Sequence, residues 1–171
     1  PLELVLAGRE GLIATRVILL LEDKADLDLL EVVLAEGVSA HSHVIEIHLG
    51  LEAELRHGFL ATADGQASLL AHLAVEQEPR SRYAFTSVVT GWSLGRVEPR
   101  VVQLEGHAET ALKGLAMACA EQQLATHTAV RFDGPEGELD QLQKCLASGQ
   151  SHTIFNGAID VPRIAQRTNA A

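Results

Sequence analysis

The chain has 171 residues, which is enough for one ordinary domain and too few for two. Apolar residues make up 47% of it, which excludes wholesale disorder, while aromatic residues make up only 4%, so aliphatic side chains must fill the core. The formal net charge of −10 argues against a nucleic-acid binder, which needs a cationic surface, and against docking on anionic membranes. The longest purely apolar stretch, Val17 to Leu21, is far shorter than the roughly 20 residues that span a bilayer.

The first ambiguous segment carries Leu27, Leu30 and Leu34 at helical spacing, with Gly37 as a candidate C-cap. A second segment, with Leu139, Leu142 and Leu146 before Gly149, repeats this pattern near the other end. The pattern leaves helix and strand equally open for both segments. No low-complexity tract or linker divides the chain, so residues 1–171 are expected to form a single domain.

Alternation of apolar and polar residues is the clearest signal in the sequence. Odd positions from Ile45 to Leu55 are apolar and most even positions are polar, which predicts one half-buried strand or two strands bent at Gly50. The same period returns in four later runs: Leu69 to Val75, Tyr83 to Val89, Leu124 to Phe132, and Phe155 to Val161.

Short polar breaks rich in Gly and Pro separate these runs, for example Ala63 to Gln66, Glu78 to Arg80 and Asp133 to Gly137. Strands therefore recur about every 12–16 residues, which is typical of an all-β sandwich, barrel or solenoid. The abundance of Ala and Leu and the steady rhythm of strand and corner favour a parallel β-helix. With coils of roughly 20–25 residues, the chain would make about seven coils.

The segment His41-Ser42-His43, with Glu46 downstream, invites a cupin-type metal site, in which two imidazoles and a carboxylate converge on one ion. Strand parity opposes this hypothesis, because it places both imidazoles on one face and the carboxylate on the other. The competing interpretation has His43 partly buried and hydrogen-bonded, and His41 in the preceding turn. A cupin-like metal-binding protein or enzyme remains the alternative function.

Three further side chains are weak candidates for metal ligands: Cys119, Cys145 and His127. Cys119 lies among small apolar residues and is expected to be a core residue, whereas Cys145 follows Lys144, which would lower its thiol pKa if it were exposed. The two cysteines do not form a Cys-x-x-Cys pair or a disulfide framework, and a reduced, intracellular setting is expected. His127 is predicted on the outer face of its strand.

Two enzyme classes find little support in the motifs. The segment Gly91 to Gly95 contains Ser93 in a superficial nucleophile-elbow pattern, but no helix is predicted after it. A β-helical carbohydrate-active protein would need a row of carboxylates along one groove. The chain also lacks a phosphate-binding P-loop motif.

Residues 120–171 resemble the SufB/SufD family, the core subunits of the SUF iron–sulfur cluster assembly machinery. The resemblance is carried by four segments, namely Gln123–Thr128, Asp140–Ala147, His152–Val161 and Ala165–Ala170. The Phe155-Asn156-Gly157 sequence is similar to SufD, since SufB usually carries a Tyr-Arg-Gly type of sequence nearby. Strand rhythm extends the match through residues 26–119.

The resemblance implies a right-handed parallel β-helix and resolves both ambiguous segments toward strands. It implies a non-catalytic scaffold that pairs with a SufB-like paralogue and a SufC-like ATPase, in the cytoplasm or the plastid stroma. This segment is expected to bind no cofactor itself, with a transient Fe–S cluster forming in the full complex. The family's Cys-x-His-Gly segment lies beyond the matched region, so no functional residue is assigned, and Cys119 and Cys145 match no functional cysteine.

The resemblance also implies that the chain is a core fragment of a longer protein, expected to lack its N-terminal and C-terminal helical regions. A rod cut in this way exposes strand edges, so self-association, for example as a homodimer, is expected.

Overall fold

The computed structural model describes residues 1–171 and is built from strands and corners, with no helix. Consequently no helix that could cross a membrane is present. The strands, in chain order, are β1 (Leu2–Gly8), β2 (Gly11–Leu21), β3 (Asp26–Ala35), β4 (Ser39–Leu49), β5 (Glu54–Ala63), β6 (Ser68–Gln77), β7 (Arg82–Thr90), β8 (Leu94–Gln103), β9 (Glu109–Ala118), β10 (Gln123–Phe132), β11 (Glu138–Ala147), β12 (His152–Asp160) and β13 (Asn169–Ala170).

Successive strands alternate between two sheets. The odd-numbered strands form one sheet in the order β1-β3-β5-β7-β9-β11-β13, and the even-numbered strands form the other in the order β2-β4-β6-β8-β10-β12. We call them the odd sheet and the even sheet. Every paired strand is parallel to its neighbour, for example β3 to β5 and β4 to β6. The predicted all-β parallel β-helix is thus confirmed.

The coils are longer and fewer than predicted. Leu2 pairs with Leu29, Ser68 with Leu94, and Glu138 with Asn169, so one coil takes 26 to 31 residues. The chain therefore makes about six turns, and the expectation of about seven coils of 20–25 residues was wrong. The physical reason is that each full coil carries two long strands, as in β3 and β4 with 10 and 11 residues, and two corners as well.

Alternation along each strand decides which side chains fill the space between the sheets. In β4, Ile45 and Ile47 are buried between the sheets, while Glu46 on the opposite face is partly exposed. The run from Ile45 to Leu55 is two strands rather than one, because the chain turns after Leu49. At that turn Gly50 lies against the backbone of Asp23 in the preceding coil, and a Cβ at this position would approach the Asp23 nitrogen to 2.8 Å.

Both ambiguous segments are strands, β3 and β11, as the resemblance implied. In β3 the residues that face inward are Leu29, Glu31, Val33 and Ala35. The leucine spacing looked helical because Leu30 and Leu34 lie on the outer face of β3, while the inward carboxylate of Glu31 breaks the apolar alternation. The predicted breaks at Ala63–Gln66, Glu78–Arg80 and Asp133–Gly137 lie at corners between strands.

The two ends of the solenoid are open. Strand β2 pairs only with β4, and β12 pairs only with β10, so each has one unpaired edge. Phe155 and Ile159 stand in register with the buried Thr126 and Val130, yet they are 44% and 47% exposed because no further coil covers them. The predicted apolar face of the last strand is therefore an end face of the core.

Candidate functional site

A connected group of polar side chains, all but one of them buried, crosses the interior between the two sheets. It consists of Thr15 on β2, Glu31 on β3, His43 on β4, His57 on β5 and Tyr83 on β7. We call it the buried histidine network. Because its members come from five strands, only the coiling of the chain brings them together. Glu31, the one carboxylate of the network, is completely buried.

Glu31 lies between two imidazoles. Its Oε2 accepts a hydrogen bond from Nε2 of His57 at 2.8 Å, and its Oε1 lies 3.2 Å from Nε2 of His43. The contact between His43 Nε2 and Glu31 Oε1 has the distance of an ion pair, but its geometry is not that of a hydrogen bond. On their far sides, His57 Nδ1 lies 3.1 Å from the Tyr83 hydroxyl and His43 Nδ1 lies 2.7 Å from the Thr15 hydroxyl. Both nitrogens of His57 therefore have a hydrogen-bond partner, whereas His43 has one on Nδ1 and faces the Glu31 carboxylate with Nε2.

Burial and the contacts within the network together shift the pKa values of Glu31 and Tyr83 in opposite directions. Burial raises the pKa of Glu31, but the close contact with His43 and the hydrogen bond from His57 outweigh burial and hold that pKa at about 2. The pKa of Tyr83 is raised well above its usual value, first by burial and then by the negative charge of Glu31. The carboxylate is therefore ionised and the phenol is neutral at physiological pH.

The cupin-type convergence of His41, His43 and Glu46 does not occur, as strand parity predicted. His41 and His43 face the interior, whereas Glu46 lies on the outer surface and pairs with Arg16 at 2.8 Å. His43 is buried and bonded as expected, but it is more completely buried than expected, and His41 lies within β4 rather than in a turn. Cupins are antiparallel jelly rolls, and the parallel pairing of every strand makes that interpretation wrong.

The carboxylate that His43 contacts is Glu31, which no sequence motif singled out. Its inward position became visible only with the register of β3 against β1 and β5. The signal available in the sequence was a single acidic residue at a position that alternates with Leu29 and Val33 and therefore faces the same side of the strand. No group of three or more His, Cys, Asp or Glu side chains is arranged around a common point that would suit a metal ion.

Both cysteines are free and exposed. Cys119 follows β9 in a corner, where its Sγ lies 3.6 Å from Oε1 of Gln122, so the expectation that it is a core residue was wrong. Cys145 stands in register with the buried Ala116 and so occupies an inward position, but it is exposed because β11 lies at the open end. The two thiols therefore lie at a corner and at an end of the rod.

His127 lies on the outer face of β10, as predicted, and is partly exposed. Nearby on β8, Glu98 pairs with Arg96 and lies 3.4 Å from Nδ1 of His72. Burial raises the pKa of Glu98, but the hydrogen bond from Arg96 and the contact with His72 lower it overall. This carboxylate thus already has a guanidinium partner.

Ser93 does not lie in a nucleophile elbow. It sits in the corner between β7 and β8, is followed by a strand, and its hydroxyl donates to the Ala67 carbonyl at 2.8 Å. Gly91 opens this corner at φ 76° against the backbone of Ala63, which explains the glycine. The neighbouring Trp92 is completely buried.

A groove of about 390 Å³ runs across the starts of the odd-sheet strands. Its carboxylates belong to Glu54, Glu109, Glu138 and Asp140, and Arg82 pairs with Glu109 at 3.2 Å. A carbohydrate-active β-helix would need a row of carboxylates along such a groove. Here Arg82 interrupts the row, and the side chains of Glu54 and Glu109 are in contact with solvent. A general acid requires a water-poor environment that holds its proton.

Taken together, these features define a protein of the parallel β-solenoid class, with a packed interior and two open ends. Residues 4–171 match the family model described as "SUF system FeS cluster assembly, SufBD core domain". The chain belongs to this SufBD core family. No solved structure matches it.

Two curated relatives are similar to this chain. The chain is 32% identical over 159 residues to "Protein ABCI7, chloroplastic" of Arabidopsis thaliana, covering 91% of this chain and 34% of the relative. It is 32% identical over 127 residues to "Iron-sulfur cluster assembly SufBD family protein slr0076" of Synechocystis sp., covering 74% of this chain and 28% of the relative. The chain thus spans about a third of the length of the curated relatives it matches.

Proposed function

We propose that the chain is a non-catalytic, SufD-type scaffold subunit of the SUF machinery, which pairs with a SufB-like paralogue and a SufC-like ATPase. The observation that carries this proposal is the match of residues 4–171 to the SufBD core domain, on a parallel solenoid whose strand β12 presents Phe155 and Ile159 at one end of this chain's core. An open strand edge is a template for another strand, and a homologous solenoid offers one of matching geometry.

A structural role accords with the interior chemistry. The buried carboxylate of Glu31 hydrogen-bonds with His57, and aliphatic and aromatic side chains fill most of the interior. Two buried glutamines tie coils together in the same way. The amide nitrogens of Gln77 and Gln103 donate to the carbonyls of Glu109 and Glu138, each at 3.1 Å. Such bonds stiffen a rod.

The Fe–S cluster is cargo in this proposal and not a resident cofactor of the chain. The cluster would form transiently in the full complex, with ATP hydrolysis supplied by the SufC-like partner. The compartment we propose is the cytoplasm or the plastid stroma, and the name of the Arabidopsis relative, which includes the word chloroplastic, supports the second of these.

Co-purification of the tagged chain with the SufB-like and SufC-like subunits of its own source tests the proposal. Phe155→Lys places a charge on the end of the core, whereas Ile154→Lys places the same charge on the outer face of the same strand. We expect the first variant to lose most of the SufB-like partner and the second to retain it. Equal recovery with both variants, or no recovery with the wild-type chain, would contradict the proposal.

A further inference from the structure

The outer face of the odd sheet carries an apolar stripe that runs along the rod. Val5, Val32, Leu60, Val88 and Leu115 stand in register on five successive strands, from β1 to β9, and Lys144 follows them at the far end on β11. A second row lies beside it, formed by Ala7, Leu34, Thr62, Thr90, Met117 and Leu146. We call the two rows together the apolar stripe.

The stripe is open to solvent although it is apolar. Leu34 and Leu60 are each 37% exposed, and Leu146 at the far end is 59% exposed. The outer face of the even sheet differs, because charged residues such as Arg16, Glu46 and Glu98 interrupt it coil after coil. A continuous apolar surface on one face alone is typical of an interaction site.

The dimensions of the stripe suit an α-helix lying parallel to the solenoid axis. Neighbouring strands in a sheet are about 4.8 Å apart, which is close to the rise of three helical residues, so helix positions three and four apart meet successive coils. From β1 to β11 the stripe is about 24 Å long, the length of about 16 helical residues. At its end, Met117, Cys119 and Leu146 line a hollow of about 280 Å³ that would receive a larger apolar side chain.

Charge at the border of the stripe favours a basic occupant. The corners that follow β3, β5 and β9 carry Glu36, Asp64 and Glu121. Arg9 pairs with Glu36 and is the only Lys or Arg side chain in the corners on this side. Together with the net charge of −10, this border attracts Lys and Arg and repels Asp and Glu.

We propose that the apolar stripe is a docking surface for an amphipathic α-helix of about four turns from another protein, with Lys or Arg along one flank. The helix would place its apolar residues on Val32, Leu60 and Val88 and its basic flank toward Glu36, Asp64 and Glu121. This surface is separate from the end of β12, so the proposal does not depend on pairing at that end.

Binding of a designed peptide tests the inference. The probe is a fluorescent helical peptide of about 18 residues, with leucines at positions three and four apart and lysines along one flank, measured by anisotropy. The peptide is titrated with the wild-type chain and with two variants that carry the same change of charge. Leu60→Lys lies on the stripe, and Leu70→Lys, the control, lies on the outer face of the even sheet. A second peptide carries glutamates in place of the lysines.

We expect Leu60→Lys to weaken binding at least tenfold, Leu70→Lys to leave it within twofold, and the glutamate peptide to bind at least tenfold more weakly than the lysine peptide. Equal weakening by both variants would mean that only charge attracts the peptide, and would overturn the proposal. The proposal also fails if the wild-type chain does not bind, or if it forms a dimer that Leu60→Lys dissociates, since a second copy would then cover the stripe. Circular dichroism spectra of both variants, compared with that of the wild-type chain, serve as the control for folding.

Discussion

The carboxylate of Glu31 lies 2.8 Å from Nε2 of His57, and both side chains are completely buried although they are 26 residues apart in sequence. The contact links β3 to the next coil of the odd sheet and, through His43, to the even sheet. Burying a carboxylate is costly unless it is paired and hydrogen-bonded, and here two imidazoles fulfil that requirement. The interior is therefore held in register by polar contacts as well as by apolar packing.

Replacement of Glu31 by Gln should destabilise the fold strongly. The substitution replaces the charged carboxylate that both imidazoles face by a neutral amide, and the loss of a hydrogen bond to a charged group costs about 1.5–3 kcal/mol. Denaturant unfolding of the variant, compared with wild type, measures the loss. Glu46→Gln is the matched control, because it removes a carboxylate from the outer surface, and its midpoint should stay close to that of the wild type. Similar midpoints for Glu31→Gln and wild type would show that the network is not structural.

Acid should weaken the fold first through His41. Burial lowers the pKa of this imidazole below 6.5, and its Nε2 has no hydrogen-bond partner, so the folded state favours the neutral ring. Below pH 6.5 the unfolded chain then binds more protons than the folded chain. The stability of the fold therefore decreases as the pH is lowered through that range. Unfolding measured at about pH 8 and about pH 5.5 should show a smaller drop for His41→Phe than for wild type, and an equal drop would contradict this assignment.

A second loss of stability should follow at lower pH through Glu31. Its pKa is about 2 in the folded state, against an ordinary value of 4.5, so its contribution is complete above about pH 4.5 and is lost as the pH falls toward 2. Unfolding at about pH 5 and about pH 3 measures this step, and the Glu31→Gln variant should lack its share. If the variant and the wild type lose the same stability between these pH values, other carboxylates carry the effect.

Both cysteines should react with a thiol reagent in the folded protein, because Cys119 and Cys145 are exposed. Titration with a chromogenic disulfide is expected to label two thiols per chain without denaturant, and one thiol in each single Cys→Ser variant. Labelling that requires denaturant would contradict the exposure of these residues.

The isolated chain should not retain an iron–sulfur cluster. Anaerobic incubation with ferrous iron and sulfide, followed by desalting, is expected to leave no visible charge-transfer absorption. A stoichiometric cluster that disappears in Cys145→Ser or Cys119→Ser would overturn this expectation and would assign a ligand to this chain. His127→Ala provides the matching test for the third candidate.

The open ends should make the isolated chain self-associate. Light scattering is expected to show a mass that rises with protein concentration, because the edges of β2 and β12 are unpaired. Phe155→Lys should reduce this association and Ile154→Lys should not, since only Phe155 faces the end of the core. A strictly monomeric wild-type chain at high concentration would contradict the prediction.

Local patterns account for much of the fold. The alternation from Leu124 to Phe132 and from Tyr83 to Val89 predicted β10 and β7, because a strand between core and solvent needs one apolar face. Strands β1, β2, β8 and β9 were not predicted, and in β2 the apolar residues Leu12, Ile18 and Leu20 on the outer face conceal the alternation. In β2 and in the segment with Glu31, a side chain's polarity does not match its surroundings.

The sequence by itself determined that this chain forms strands joined by tight corners, because alternation and turn residues act over only a few positions. Only the tertiary structure decided which strands lie side by side, how long a coil is, and that Glu31 meets His43 and His57. Those outcomes depend on contacts between residues about one coil apart, which hydrogen bonding between parallel strands creates and which local spacing does not encode.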